Sequence, residues 1–363
     1  MKPEIAERRM ARLRQKLASE KLDAMLITTP ENLRYLSGFT GSGVALVPAE
    51  DEKKILAVWF VYLEQAKEET SGWEVRHIET TFEKLLPDLL REIGARKVGF
   101  ESAHLTVAEL EKWRKALEEN GPANCELVPI PKAVEELRAV KEPEEMQTIR
   151  RAVALADAAF EHILDFIRPG MTEKEVAWEL EVFLRTHGAE KVAFDLIIGA
   201  GPNGAKPHAT SSERKIRPDE PIVLDLGAFL DGYNSDLTRT IYLGQPDGKF
   251  KEIFEIVRKA QETAERSIHA GMTGVEADRV ARQIIEEAGY GECFGHGLGH
   301  GVGLAVHEAP RLHFVSEDTL EAGMVVTIEP GIYLPDWGGV RLEDMALVKE
   351  DGLEVLTQAG KGR

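Results

Sequence analysis

Two cysteines, Cys125 and Cys293, are all that 363 residues contain. That is too few for a disulfide framework and suits a reducing cytoplasm. Positive charge is also scarce: 45 Lys and Arg stand against 63 Asp and Glu, a formal net charge of −18, with a pI near 5.1. Nucleic acid and anionic membrane are thereby excluded as main partners. No apolar run approaches the roughly 20 residues that a membrane helix needs. The start, Met1-Lys2-Pro3-Glu4-Ile5-Ala6-Glu7, lacks the apolar stretch of a signal peptide, so the expected location is cytoplasmic. Neither a phosphate-cradling GxxxxGK[ST] nor a GxSxG elbow occurs. What is present, 43% hydrophobic and 30% charged residues, is the composition of a globular chain of about two domains.

The first part reads as an α/β domain. An amphipathic helix over 1–22 carries Ile5, Met10, Leu13 and Leu17, and strands follow at 24–27, 43–48 and 54–58. Helices around 61–70, 80–93 and 106–119 then alternate with short strands at 97–100 and 125–128. Between the first strands, Asn32–Gly41 reads as a polar connection punctuated by glycine. Pro129-Ile130-Pro131 marks a boundary, giving domains of 1–131 and 132–363.

The second domain repeats itself. Pro169-Gly170-Met171-Thr172 recurs as Ala270-Gly271-Met272-Thr273, 101 residues on, and Gly188 and Gly289 keep that offset. In each half a helix precedes the motif and another follows. Each half then reaches a strand ending in an acid, Asp225 or Glu329, and a second acid across a turn, Asp236 or Glu343. Duplication of this unit about a pseudo-twofold axis brings four carboxylates to the centre of an α+β fold with an antiparallel sheet.

Val223-Leu224-Asp225 ends an apolar run of the kind found in a buried central strand, where an unpaired Asp is rare. Asp236 opens the next run beyond Asp231-Gly232-Tyr233-Asn234, as in a hairpin; by itself it suits a turn cap equally well. Facing carboxylates in a core repel each other and lose water, and a bound cation compensates both. Two divalent metals sharing four carboxylates, at the separation of about 3.5–4 Å found in two-metal hydrolases, balance the charge.

The histidines lie in the second half: His296, His300 and His307 around a Gly-rich run. His296 and His300 are spaced i, i+4, but Gly295, Gly297, Gly299, Gly301 and Gly303 forbid a stable helix. His307-Glu308-Ala309-Pro310-Arg311 is not HExxH, which removes the helix-borne zinc protease reading. Glycines suit a strand or loop whose backbone lies close to metal or substrate. Oxygen-rich ligands with one imidazole and no thiolate favour Mn or Co, then Zn or Fe. Gly199-Ala200-Gly201-Pro202-Asn203-Gly204 fits GxGxxG, yet Pro202 and Pro207 interrupt the helix a dinucleotide site requires. Cys293, near His296, reads as a small buried residue, not as a nucleophile.

The words DLG at Asp225, NSDLTRT around Asp236, GHGVG at His300, VHE at His307, TIEPGIY at Glu329 and GGVRLED at Glu343 together resemble the pita-bread metallopeptidases. Within them the chain is most similar to proline dipeptidases (prolidases) and Xaa-Pro aminopeptidases. The resemblance covers about 140–363 and extends more loosely to that family's creatinase-like N-terminal α/β domain. It implies that Asp225 chelates one metal, that Asp236 and Glu343 bridge both, and that His300 and Glu329 complete the other. It further implies Glu329 as general base, His208 and His307 as residues that hold the substrate, and Arg341 as a residue that orients the ligands.

It also implies a homodimer, for which Asn32–Gly41 is the expected contributing segment. Small peptides with proline in second position are the implied substrates. An Xaa-Pro bond lacks an N–H and fixes φ, so a specialist needs an apolar pocket for the ring; Phe194 and Val306 match such positions, although both also suit ordinary core. A dipeptidase must bind the product carboxylate as well, a task for a bidentate guanidinium, and Arg311 matches that position. The expectation is an Xaa-Pro dipeptidase, with an Xaa-Pro aminopeptidase on longer peptides as the alternative. Methionine aminopeptidases usually lack so large a first domain, and creatinases lack the metal carboxylates. A non-catalytic scaffold is the reading of a different class.

Overall fold

In the computed structural model, which describes residues 2–361, one compact unit runs up to Arg138 and another begins at Ala139. Helix α1 (Pro3–Ser19) starts on a proline, whose missing N–H costs nothing at a first turn, and buries Ile5, Met10, Leu13 and Leu17. Strand β1 (Ala24–Ile27) leads to helix α2 (Pro30–Ser37), which is where the connection expected over 32–41 was drawn. Pro30 sits in its first turn, Gly38 closes it at φ 82°, and Asn32, Leu33, Tyr35, Leu36 and Ser37 are buried. The contributing segment expected there is thus mostly packed inside its own unit.

Strands β2 (Gly43–Pro48) and β3 (Ile55–Trp59), helix α3 (Leu63–Glu69), strand β4 (Glu74–Ile78) and helix α4 (Phe82–Ile93) follow. Strand β5 (Lys97–Glu101), helix α5 (Val107–Asn120), strand β6 (Glu126–Ile130) and helix α6 (Glu135–Ala139) complete the sequence. The sheet is mixed, in the order β4-β3-β2-β1-β5-β6. Residues 135–138 side with this unit through Asn32 Nδ2 to Glu135 Oε1 at 2.8 Å and Arg138 Nη1 to Asn32 Oδ1 at 2.6 Å. Pro129 and Ile130 lie within β6.

In the second unit, helices α7 (Pro143–Phe166) and α8 (Glu173–Thr186) cover the first half, and α9 (Gly248–Ser267) and α10 (Gly274–Glu287) cover the second. Thr172 and Thr273 cap α8 and α10 with the same capping box, to Glu175 and Glu276. Gly170 (φ 94°) and Gly271 (φ 91°) make the same left-handed turn before them. The backbone N–H groups of those glycines donate to Ile216 and Leu320, each over 2.8 Å. The repeat read from the sequence is therefore a repeat of structure.

Strands of the first half are β7 (Lys191–Val192), β8 (Ile197–Ala200), β9 (Pro221–Leu226), β10 (Ala228–Leu230), β11 (Tyr233–Asn234) and β12 (Leu237–Tyr242). Those of the second are β13 (Gly299–Gly301), β14 (Glu308–Leu312), β15 (Val325–Ile328), β16 (Gly331–Leu334), β17 (Gly338–Arg341), β18 (Asp344–Lys349) and β19 (Gly352–Val355). Two antiparallel sheets carry the centre, β12-β9-β8 and β14-β13-β15-β18-β19. Phe160, Ile163, Leu180 and Leu184 pack with Ile198, Leu224 and Leu237 behind the first sheet. Val257, Ala260, Ala281 and Ile285 pack with Val326, Ile328 and Val348 behind the second.

Candidate metal centre

Asp225 and Asp236 come from the two arms of one hairpin. Its tip, Asp231 (φ 48°) and Gly232 (φ 90°), has the two positive φ values that match the twist of flanking strands. Asp225 stands opposite Thr238, two residues past Asp236, so Asp225, Thr238 and Asp236 share a face. In the second half Ile328 stands opposite Asp344, which leaves Glu329 and Glu343 at the same end of β15 and β18. His300 lies in β13, one strand over. The glycines around it are needed because a Cβ at Gly299 would strike Thr327 and one at Gly301 would strike Ala309.

These five side chains are brought together. Thr238 Oγ1 donates to Glu343 Oε2 at 2.7 Å, and Arg341 Nε reaches the same hydroxyl at 3.0 Å. Arg341 Nη2 donates to Asp225 Oδ2 at 2.5 Å. His300 Nε2 lies 3.3 Å from Glu329 Oε1 and 3.7 Å from Asp236 Oδ2. His300 Nδ1 faces the Gly301 carbonyl at 3.1 Å, so that nitrogen carries a proton and Nε2 is turned to the acids.

The donor set fits a cation. Ligand atoms of Asp236, His300 and Glu343 all lie within 4.8 Å of one another. Asp225 Oδ1 is buried with no hydrogen-bond partner. Burial, reinforced by the neighbouring carboxylates, pushes Asp236 and Glu343 well above the usual range for acids. Burial also raises Glu329, but the hydrogen bond and charge of His300 outweigh it and hold this acid down to about 2. Correspondingly, burial favours a neutral His300 and Glu329 overrides it, raising the imidazole. A proton on His300 answers only part of the charge of four acids, and the set has room for more positive charge.

Around the centre lie the other expected residues. His307 is exposed on the bend before β14, its ring 4.3 Å from that of His300. Burial and then the charge of His300 lower its pKa, Glu329 opposes them, and His208 and Arg311 act in the same sense as His300. His208 is itself exposed on a turn. Arg311 is exposed and opposes His300 in the β13–β14 ladder. Phe194 is half-buried and lies over Gly227, where a Cβ would come within 2.8 Å of its ring. Val306 is half-buried beside His307.

Residues 147–350 match metallopeptidase family M24, and residues 9–140 match the Creatinase/Prolidase N-terminal domain. The chain belongs to metallopeptidase family M24. It is similar to the Xaa-Pro dipeptidase of Pyrococcus furiosus, 38% identical over 96% of this chain and 97% of that one. A solved Xaa-Pro dipeptidase from Bacillus anthracis superposes with TM-score 0.92 at 42% identity, covering 98% of each chain. The X-Pro aminopeptidase from Thermotoga maritima MSB8 gives TM-score 0.90 at 36% identity, covering 97% of this chain and 98% of that one. The M24 unit has the pita-bread fold, it is a metal-dependent peptidase, and membership implies divalent metal ions, for which Asp236, His300 and Glu343 form a possible site.

Three residues of this centre were not singled out from sequence. Thr238 ties Glu343 to Arg341, and Thr327 Oγ1 donates to Glu329 Oε1 at 3.0 Å while accepting His300 N–H at 3.0 Å. Tyr333 OH accepts from Arg341 Nη1 at 2.9 Å, and burial pushes this phenol up to about 12. It keeps its proton for His296 Nε2, 2.9 Å away, because His296 Nδ1 faces the Gly297 carbonyl. Alternation was the available signal: Asp236, Thr238 and Thr240 lie on one face of a strand otherwise suited to burial.

Proposed function

We propose that the protein hydrolyses Xaa-Pro dipeptides with two divalent cations, Mn or Co before Zn or Fe, held by Asp225, Asp236, His300, Glu329 and Glu343. The observation that carries the reading is the convergence of these acids and one imidazole, with Asp225 Oδ1 left without a protein partner. The similarity to Xaa-Pro dipeptidases supports the substrate class. Bound cations supply Lewis acidity to a carbonyl and acidify water.

The chain's own residues do the rest. Glu329 takes a proton and passes it to the leaving nitrogen. His208 and His307 hold the peptide and donate hydrogen bonds to oxygen as charge develops there. Phe194 and Val306 flank the proline ring, which excludes water from the bond. Arg311 receives the free carboxylate bidentately, and Arg341 fixes Asp225. The working form is taken as a cytoplasmic homodimer. Free, half-buried Cys125 and Cys293 suit that compartment.

Turnover of Ala-Pro against Ala-Pro-Ala by Mn- or Co-loaded protein tests the reading. Preference for the dipeptide is expected. Preference for the tripeptide moves the assignment to Xaa-Pro aminopeptidase, which the similarity to the Thermotoga enzyme favours, and hydrolysis of neither leaves a binding protein.

A further inference from the structure

Lys141 and Glu308 form an ion pair, Nζ to Oε1 at 2.8 Å, with side chains only 1% and 6% exposed. Removing two charges from water costs several kcal/mol per ion, on the order of what their attraction returns, so a buried pair is weak as a device for stability. Its surroundings suggest what it does instead. Glu308 directly follows His307, and its other oxygen, Oε2, accepts the N–H of Ala305 at 3.3 Å. The carboxylate lies where a Cβ on Gly303 would come within 2.5 Å of it. Gly303 N–H donates to the Ala305 carbonyl at 3.0 Å, closing a tight turn around the acid.

From the other side Asn234, two residues before Asp236, receives no part of the chemistry but holds the same turn. Its backbone N–H meets Gly303 O at 2.9 Å, and its Nδ2 meets Gly303 O and Leu304 O at 3.0 Å each. Lys141 is itself anchored, with Nζ on the Ala139 carbonyl at 3.0 Å and its backbone N–H on Gly323 O at 2.9 Å. Among the described residues no hydrogen bond holds the His307 ring, which meets His300 by ring contact alone. The place of His307 is therefore set by its backbone.

We infer that the buried Lys141–Glu308 pair, with Asn234, is a positioning clamp that sets the 302–307 turn and so aims His307 at the substrate. The inference rests on the substrate-holding role proposed for His307. In that view Lys141 and Glu308 act only through His307 and touch neither metal nor peptide.

A double-mutant cycle on the metal-loaded enzyme tests it, with kcat and KM for an Xaa-Pro dipeptide and metal content measured for Glu308→Gln, His307→Ala and the double variant. Glu308→Gln is expected to lower kcat/KM by about 10- to 100-fold, the scale of a small misplacement of a catalytic group, with metal content unchanged. In the His307→Ala background the same change is expected to cost less than about twofold, because the clamp then has nothing to aim. Lys141→Arg, which keeps the charge, is expected to retain most activity, whereas Lys141→Met should behave as Glu308→Gln does. Losses that multiply in the double variant, or full activity in Glu308→Gln, overturn the clamp. Should Lys141→Met fail to fold, the isosteric Glu308→Gln cycle still decides. Failure of wild-type protein to cleave any Xaa-Pro peptide would instead overturn the proposed function.

Discussion

Arg341 holds several groups of the centre at once. Its Nε, Nη1 and Nη2 reach Thr238, Tyr333 and Asp225, and Nη1 also meets the Pro207 carbonyl at 3.3 Å, next to His208. Lysine would keep the charge but lose the fork. Arg341→Lys is therefore expected to weaken metal binding about 10- to 100-fold, read by calorimetric titration, with the far-ultraviolet dichroism unchanged; an unaltered affinity would separate Arg341 from the ligands. Glu329→Ala is expected to abolish turnover while the protein still folds, and measurable Xaa-Pro hydrolysis in that variant would refute its role as base. At this scale the acids and His300 were legible because a carboxylate ending an apolar strand conflicts with its surroundings. Thr238, Thr327 and Tyr333 were not, since a hydroxyl is unremarkable in a strand and gains meaning only from what lies across the sheet.

Between elements, the duplication makes a quantitative demand. Thr172 and Thr273 make the same pair of hydrogen bonds at the start of α8 and α10, so loss of either hydroxyl should cost alike. Thr172→Ala and Thr273→Ala are each expected to lower stability by about 1 kcal/mol, within the range for lost caps, measured as a shift in denaturant midpoint at constant slope. A large difference between them would mean that the two halves are similar in shape but not in energetics. The elements that escaped the sequence did so for physical reasons. Strand β4 is an edge strand with only Ile78 buried, so no alternation marks it. Helix α2 has the proline start and glycine stop of a helix, but its eight residues span barely two turns, too short for a 3.6-residue period to stand out among polar neighbours. The hairpin, by contrast, announced itself through Asp231-Gly232, because few other pairs accept two positive φ values.

For the molecule as a whole, a formal charge of −18 sets the background against which four acids, three of them buried and Glu329 half-buried, must be gathered. Without cations their mutual repulsion opposes folding, which is why burial and neighbouring acids push Asp236 and Glu343 upward. Cations that bind only the folded chain must then stabilise it, by about 2.7 kcal/mol for each site at 100 times its Kd. Asp236→Asn separates the two effects, since the amide keeps the shape and removes one charge. In chelator-treated protein this variant is expected to melt above the wild type, because one repelling carboxylate is gone. On addition of Mn or Co the order should reverse: the wild type gains the binding energy, while the variant, with three acids for two dications, gains little. Scanning calorimetry with and without metal reads both signs in one series. A metal-free variant no more stable than the wild type, together with an equal gain from metal, would mean that these acids are not held against their repulsion for a cation.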